Sequence, residues 1–320
     1  MRLEDLNQLA QRAAAAGISN DPQKIHQLLL SMGLDPRTLY QELEMTSRLA
    51  DTHRDISYSN TNLALHSHAF YELIYCCNSC GAEYLVGSER YRLRRGDVIF
   101  VPPGISHRPL LPEKTDTPYT RYVLWLSQEF MDQFALLFPC PFTNKQAQAN
   151  LLRTRGTPWE SLGELFAKGI LEAEKRADGW EAAVVGNTIS LLTQIKRATD
   201  DRSAQGPEAE KPELLDRLIA YVEEHYTKSL MIEDLAKTFY ISSSTVSHIF
   251  KQKLGVSFYR YVTQRRLISA KNQIEKGLPM DAVATQSGFA DYSGFYRAFR
   301  KEYGISPRQY RNLHESGERT

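Results

Sequence analysis

The sequence has few cysteines and no long apolar run, and these two absences exclude several classes of protein. Only 4 of the 320 residues are cysteine, too few for a disulfide-stapled secreted domain. No stretch approaches the roughly 18 consecutive apolar residues of a membrane helix. The first twelve residues, MRLEDLNQLAQR, lack the apolar core of a secretory signal. We therefore expect a cytoplasmic protein with reduced thiols and no membrane partner.

An excess of charge of one sign is also missing. Lys and Arg number 39 against 38 Asp and Glu, a net charge of +1, which by itself gives no hint of a nucleic-acid partner. The charges are unevenly placed, however. Residues 1–210 carry a net −4, whereas residues 211–314 hold 16 basic and 10 acidic residues, a net +6. A basic segment of this kind suits contacts with phosphate.

The sequence is rich enough in apolar residues to build packed cores. The hydrophobic fraction is 42% and the aromatic fraction 10%, and 320 residues are sufficient for two or three domains. Short apolar runs alternate with Gly and Pro turns over residues 56–126, which predicts an antiparallel sandwich or small barrel. Apolar residues recur at helical spacing within residues 1–50 and 159–200 and after the linker. We predict a helical extension (1–50), a β-domain with C-terminal helices (51–200), a linker (201–211), a helical domain (212–314) and a tail (315–320).

An internal repeat marks the helical domain. Five residues recur 49 positions further on: Val246, Phe250, Lys251, Gly255 and Ser257 correspond to Phe295, Phe299, Arg300, Gly304 and Ser306. Each copy has the pattern of a helix, a tight turn and a second helix. About 20 helical residues separate the copies and span about 30 Å, close to the roughly 34 Å of one DNA turn. One chain could therefore place two helices in successive major grooves.

Residues 212–313 resemble the C-terminal domain of the AraC/XylS (arabinose-regulator) family of transcription factors. The most specific part is GFADYSGFYRAFRKEYGISPRQYR, residues 288–311. The helix between the repeats matches as well, at Tyr261, Val262, Arg266, Leu267 and Ala270. The resemblance implies seven helices, two helix-turn-helix units and sequence-specific binding of double-stranded DNA.

The resemblance also indicates which residues would contact DNA. The second helix of each unit, the recognition helix, is here called its reading helix. The first reading helix would offer Ser244, Ser247 and His248 to base edges, and the second would offer Ser293, Gly294, Tyr296 and Arg297. Arg297 is the strongest candidate, because a guanidinium can bond O6 and N7 of guanine together. Lys251, Arg300 and Lys301 are expected on phosphate, which positions the protein without reading sequence.

Histidines punctuate the predicted β-domain. His66, His68 and Glu72 share one parity and would share one face of a strand, while His107 follows the turn Pro102-Pro103-Gly104. Three histidines and a glutamate form a credible set of ligands for a divalent metal. Both stretches resemble the two motifs of the cupin barrel, which supplies sensor domains in this regulator family.

Two interpretations of this barrel remain open. The four residues hold a divalent metal, or they line a site for a small organic effector such as a sugar or related metabolite, together with Phe70, Tyr84 and Arg94. No cofactor is required in the second case. Cys76, Cys77 and Cys80 could form a thiol sensor or a soft-metal clip. Ordinary strand thiols are favoured, because Cys76 and Cys77 would point to opposite faces.

The predicted fold is an α+β multidomain chain: a helical extension, a cupin-like antiparallel β-barrel with C-terminal helices, and an all-α double helix-turn-helix domain. The function favoured is a DNA-binding transcription regulator controlled by a small-molecule effector, and not an enzyme. We expect a homodimer paired through helices of residues 159–200, and contact with RNA polymerase if the protein activates. The alternatives are a metal-binding cupin enzyme fused to a DNA-binding domain and an effector-independent DNA-binding protein.

Overall fold

The computed structural model describes residue 45 and residues 47–57, 65–112, 117–138, 151–201 and 213–317, with side chains up to residue 312. The helices predicted within residues 1–44, nearly all of the predicted linker and the end of the tail lie outside the described residues. No helix among the described residues is long and apolar enough to cross a membrane.

Eight strands form two antiparallel sheets in the described part of the N-terminal half. The strands are β1 (Ala50–Ser57), β2 (Tyr71–Cys76), β3 (Glu83–Val86), β4 (Glu89–Arg92), β5 (Asp97–Val101), β6 (His107–Leu110), β7 (Tyr119–Leu126) and β8 (Leu151–Arg153). One sheet has the order β1-β7-β2-β5-β8 and the other β4-β3-β6. The antiparallel β-domain expected from the sequence is thus confirmed.

Alternation along β2 separates the two faces of the larger sheet. Leu73 and Tyr75 point outward, into an apolar cluster with three helices. These are α1 (Gln128–Leu137), α2 (Leu162–Lys175) and α3 (Trp180–Asp200). Ile74 and Cys76 point inward and pack against Tyr84 of the smaller sheet. The space between the sheets is therefore the interior of the domain.

Seven further helices lie in the described part of the C-terminal half. They are α4 (Leu214–His225), α5 (Ile232–Thr238), α6 (Ser243–Leu254), α7 (Phe258–Glu275), α8 (Met280–Gln286), α9 (Tyr292–Tyr303) and α10 (Pro307–Gly317). The first part of α7 packs into the core around Phe250. Its second part packs into a separate core around Phe295 and Phe299. The long helix α7 therefore joins two units that each have a core of their own.

The internal repeat is visible in the backbone of the two units. Ser242 caps α6 by accepting a hydrogen bond from the Thr245 amide, and Asp291 caps α9 in the same way. The turn before each cap contains one left-handed residue, Tyr240 (φ 55°) in the first unit and Gly288 (φ 85°) in the second. Only glycine fits at 288, because a Cβ there would lie 2.6 Å from a backbone oxygen. At 240 the side chain is 96% exposed, so a tyrosine fits.

The β-domain packs directly on the first helical unit. Leu65, Leu85 and Leu110 share one apolar cluster with residues of α4 to α7. Arg90 of β4 lies at the edge of this contact and forms ion pairs with Glu83 of its own sheet and with Glu213 and Asp216 at the start of α4. The smaller sheet is therefore the surface through which the two halves meet.

Candidate functional site

Three histidines and one glutamate meet in the space between the two sheets. His66 and His107 face each other across a short antiparallel bridge, with ring centroids 4.2 Å apart. The ring of His68 lies 4.7 Å from that of His107. One ring nitrogen from each histidine lies within 4.8 Å of the others. The sequence predicted a single strand face for His66, His68 and Glu72, but β2 begins only at Tyr71. The two histidines therefore reach the cluster from a bridge and a loop.

The hydrogen bonds of His68 and His107 fix where their free nitrogens point. Nδ1 of His68 donates to the carbonyl of Phe70 at 2.8 Å, and Nδ1 of His107 donates to that of Ile105 at 2.8 Å. Their Nε2 atoms then face Oε2 of Glu72, at 3.6 Å and 3.1 Å. All three atoms are buried without a hydrogen-bond partner. Lone pairs facing a carboxylate repel each other unless a proton or a cation lies between them.

The surroundings of Glu72 and His68 set their charges. Burial is the main influence on His68 and lowers its pKa, so that its ring is neutral at pH 7. Burial alone would raise the pKa of Glu72, but the proximity of His107 and His68 outweighs it and holds that pKa well below the usual range. A buried carboxylate thus faces a neutral imidazole.

The spacing of the donor atoms fits a metal ion. Ligands held about 2.1 Å from an ion at tetrahedral angles lie about 3.4 Å from one another. The two distances from Glu72 to Nε2 of His68 and of His107, 3.6 Å and 3.1 Å, bracket this value. Glu72, His68 and His107 therefore have the spacing of metal ligands, and a closer approach of the three histidine nitrogens, now within 4.8 Å of one another, would complete the site.

Aromatic side chains surround the cluster. Nε1 of Trp125 donates to the second oxygen of Glu72 at 2.9 Å, which orients that carboxylate. Phe70 stacks on His68 at 3.9 Å, and the ring of His53 packs edge-on against Trp125 at 4.7 Å. Outer contacts of this kind tune a bound ligand. Neither Trp125 nor His53 was among the residues predicted from the sequence, although alternation along β7 could have placed Trp125 inside.

The remaining effector candidates divide between the interior and the surface. Tyr84 is buried, and its ring lies 6.3 Å from that of His107. Arg94, in contrast, is exposed on the turn between β4 and β5, where its backbone amide donates to Asp97. Arg94 therefore does not join the histidine cluster, because the turn directs it to solvent.

Cys76, Cys77 and Cys80 are free. Burial is the largest influence on Cys76 and Cys77 and raises the pKa of Cys76 to about 12 and that of Cys77 to about 11. Both remain protonated at neutral pH, and a thiol is a far weaker nucleophile and ligand than a thiolate. Their chemistry favours the interpretation as ordinary strand thiols.

The residues expected to contact DNA lie on α6 and α9. Gly294 and Tyr296 are half-buried. The other eight residues are exposed: Ser244, Ser247, His248, Lys251, Ser293, Arg297, Arg300 and Lys301. Val246 and Phe250 of α6 and Phe295 and Phe299 of α9 are buried on the opposite side. Each helix therefore buries one face in its own unit and leaves the other open to a partner.

Comparison with known proteins assigns both halves. Residues 50–148 match a family model described as an AraC-like ligand binding domain, and residues 235–313 match one described as a helix-turn-helix domain. The chain belongs to the AraC/XylS family. The HTH-type transcriptional activator RhaS of Salmonella dublin is 27% identical over 251 residues, which cover 77% of this chain and 86% of that protein.

Two solved structures are similar to this AraC-family chain, both with TM-scores below 0.5. The C-terminal domain of AraT, a response regulator from Geobacillus stearothermophilus, is 31% identical and covers 30% of this chain and 82% of its own, with a TM-score of 0.30. ToxT from Vibrio cholerae, in a structure with bound unsaturated fatty acid, is 12% identical. The match covers 84% of this chain and 97% of the ToxT chain, with a TM-score of 0.37.

The family assignment decides between the function classes left open by the sequence. A ligand-binding domain joined to a helix-turn-helix domain is the organisation of a transcription regulator controlled by an effector. The protein is therefore an AraC-type regulator that binds DNA, rather than an enzyme with a helical passenger.

Replacing Arg297 by alanine tests whether this AraC-family regulator reads bases with α9. We expect its affinity for a specific site, selected from a random-sequence pool, to fall about 10- to 100-fold, since a bidentate contact to guanine contributes about 1–3 kcal/mol. Affinity for unrelated DNA should fall much less. Fluorescence anisotropy at fixed salt measures both. Arg300→Ala is the matched control and should weaken both DNAs by similar factors, as expected of a phosphate contact. An equal loss on both DNAs for Arg297→Ala would make it a phosphate contact too.

Proposed function

We propose that this regulator responds to a divalent transition-metal ion held by His66, His68, Glu72 and His107. One observation carries the proposal: the buried Nε2 atoms of His68 and His107 and Oε2 of Glu72 converge without hydrogen-bond partners. A cation placed among them would satisfy all three at once, and a neutral ring whose Nδ1 carries the proton offers its Nε2 as a metal ligand.

The chemistry of the donors favours some ions over others. Three imidazoles and one carboxylate suit Zn²⁺, Fe²⁺, Co²⁺ or Ni²⁺, whereas Mg²⁺ and Ca²⁺ prefer sites built of oxygen. The ion would then act as the effector, or as the anchor for one, inside the sensor domain (residues 51–200).

The C-terminal half (residues 212–314) is the proposed DNA reader. The exposed faces of α6 and α9 would enter successive major grooves, with Arg297 on bases and Lys251, Arg300 and Lys301 on phosphates. The resemblance to RhaS, described as an activator, supports activation of transcription. Activation implies contact with RNA polymerase, and we propose a homodimer paired through the helical region 159–200.

The test uses full-length protein purified without a histidine tag. Elemental analysis and titration with Co²⁺ should show one ion per chain, with the visible absorption of four-coordinate cobalt. Binding to a DNA site selected from a random pool is then measured with and without Zn²⁺, and we expect a change of about fivefold or more. Metal far below one equivalent per chain would end the metal proposal, whatever the DNA result.

An organic effector is the second candidate, because the same interior contains a buried tyrosine hydroxyl without a partner, that of Tyr119. Aromatic side chains with a few convergent polar groups are typical of small-molecule sites. Arg121 lies over the ring of Tyr119 and pairs with Asp55 at 2.6 Å. A response of DNA binding to sugars, in protein stripped of metal by a chelator, would favour this candidate.

A further inference from the structure

Arg108 connects the sensor domain to the end of the first reading helix. It lies in β6, is 3% exposed, and its Nη1 donates to the carbonyl of Leu254 at 2.9 Å. Leu254 is the last residue of α6, and the last carbonyls of a helix have no partner within it. A cation there is also favoured by the helix dipole. Arg108 thus caps a helix that belongs to the other domain.

The segment that carries Arg108 also holds the histidine cluster together. Adjacent strand residues point to opposite faces, so that His107 faces the cluster while Arg108 faces α6. The Gly104 amide donates to the carbonyl of His68 at 2.8 Å, and the ring of His107 donates to the carbonyl of Ile105. Residues 104–108 therefore support two of the four proposed ligands.

The same segment reaches the long helix between the two units. Nδ2 of Asn272, in α7, donates to the carbonyl of Gly104 at 3.2 Å. One short segment thus contacts α6 through Arg108, α7 through Asn272 and the cluster through His107. These are the two helices that set where the first reading face lies relative to the second.

These contacts hold α6 without covering its reading face. Arg108 reaches the C-terminal end of the helix, whereas Ser244, Ser247 and His248 stay exposed near its beginning and middle. We propose that Arg108 is a positioning residue through which the state of the histidine cluster sets the placement of α6 on DNA. This inference rests on the proposed effector site, because a ligand shifts DNA binding only if it favours one arrangement of 104–108 over another.

A double-mutant cycle on the full-length chain tests the coupling without any ligand. The variants are Glu72→Gln, which removes the charge at the cluster, Arg108→Met, which removes the bond to Leu254, and the two combined. Affinity for the selected DNA site is measured by anisotropy. We expect Glu72→Gln to change this affinity about fivefold or more when Arg108 is present, and less than about twofold in the Arg108→Met background. Equal factors in both backgrounds would overturn the proposal.

A second arm adds Zn²⁺ alone and uses reciprocity. In wild-type protein, Zn²⁺ should alter DNA affinity and DNA should alter Zn²⁺ affinity by the same factor. In Arg108→Met, we expect Zn²⁺ to bind as tightly as in the wild type. Zn²⁺ should then leave the DNA affinity unchanged, and DNA should leave the Zn²⁺ affinity unchanged. If the wild type binds no Zn²⁺, the proposed metal function fails, and the double-mutant cycle still decides the role of Arg108.

Two further variants separate positioning from simple loss of structure. Arg92→Met is the matched control: Arg92 joins β4 to Glu213 at 2.7 Å, on the edge strand opposite the β6 strand of Arg108, and the coupling should persist. Arg108→Lys keeps a charged donor and should restore part of it. Loss of coupling in Arg92→Met as well would assign the effect to the interface as a whole and overturn a special role for Arg108. If Arg108→Met does not fold, Arg108→Gln, which is polar but uncharged, takes its place.

Discussion

Replacing Arg90 by methionine should lower the free energy of unfolding by about 3 kcal/mol, because breaking a buried ion pair leaves uncompensated charge behind. The Arg90 side chain is only 6% exposed and lies 2.6 Å from Glu83, 2.7 Å from Asp216 and 2.8 Å from Glu213. Methionine keeps the apolar stem but removes the cation from Asp216 and leaves Glu83 and Glu213 with Arg92 alone. Breaking a buried pair costs about 3–5 kcal/mol. Because Glu213 is 46% exposed, solvent screens part of the effect and we expect the low end of this range.

Chemical denaturation followed by circular dichroism measures the change in stability caused by Arg90→Met. The matched control is Arg92→Met, which removes an arginine from the same strand. Arg92 pairs with Glu83 and Glu213 but is 56% exposed, and exposed pairs contribute only about 0–1 kcal/mol. A loss for Arg90→Met no larger than that for Arg92→Met would show that burial of the pair adds nothing to the interface.

Replacing Glu72 by glutamine should reduce affinity for Zn²⁺ by about a hundredfold or more. Loss of an outer contact already costs about 10- to 100-fold, and here the ligand itself loses its charge while His68 and His107 keep their positions. Glutamine conserves the size of the side chain and can still accept from Trp125, which now donates to Glu72 at 2.9 Å. Titration calorimetry on tag-free protein gives the affinity directly.

The control for Glu72→Gln is Glu89→Gln, which removes an exposed carboxylate from β4 of the same domain. Its affinity for Zn²⁺ should equal that of the wild type. If both variants bind Zn²⁺ like the wild type, the ion is not held by the histidine cluster, and the site proposed for it is wrong.

Several features could be predicted from local patterns. Gly255 and Gly304 end α6 and α9 in left-handed conformations, as glycines after a helical run indicate. The 49-residue repeat predicted two equivalent units because capping and core positions recur in register. These features depend on neighbours a few residues apart, and such interactions are written into short stretches of sequence.

Other features required the folded chain. The sequence offered Arg94 as a candidate for the effector site without fixing which way it faces, and the turn at 94–97 directs it to solvent. Trp125, 53 residues from Glu72, joins the cluster only because β7 pairs with β2. Nothing near Arg108 in the sequence indicates a bond to Leu254, 146 residues away. Contacts of this range depend on strand order and domain packing, which no local pattern specifies.

The sequence by itself determined the type of protein: the charge split between residues 1–210 and 211–314 and the repeat predicted a basic domain that contacts DNA with two helices, and the resemblance to the AraC/XylS family implied a regulator with a β-sensor. Only the tertiary structure decided how these parts are connected. It brought His107 and Arg108 to opposite faces of one strand, the first toward the cluster and the second toward the end of α6. The physical reason is that periodicity fixes which face a residue takes, whereas the packing of the sheets against the helices fixes what that face meets.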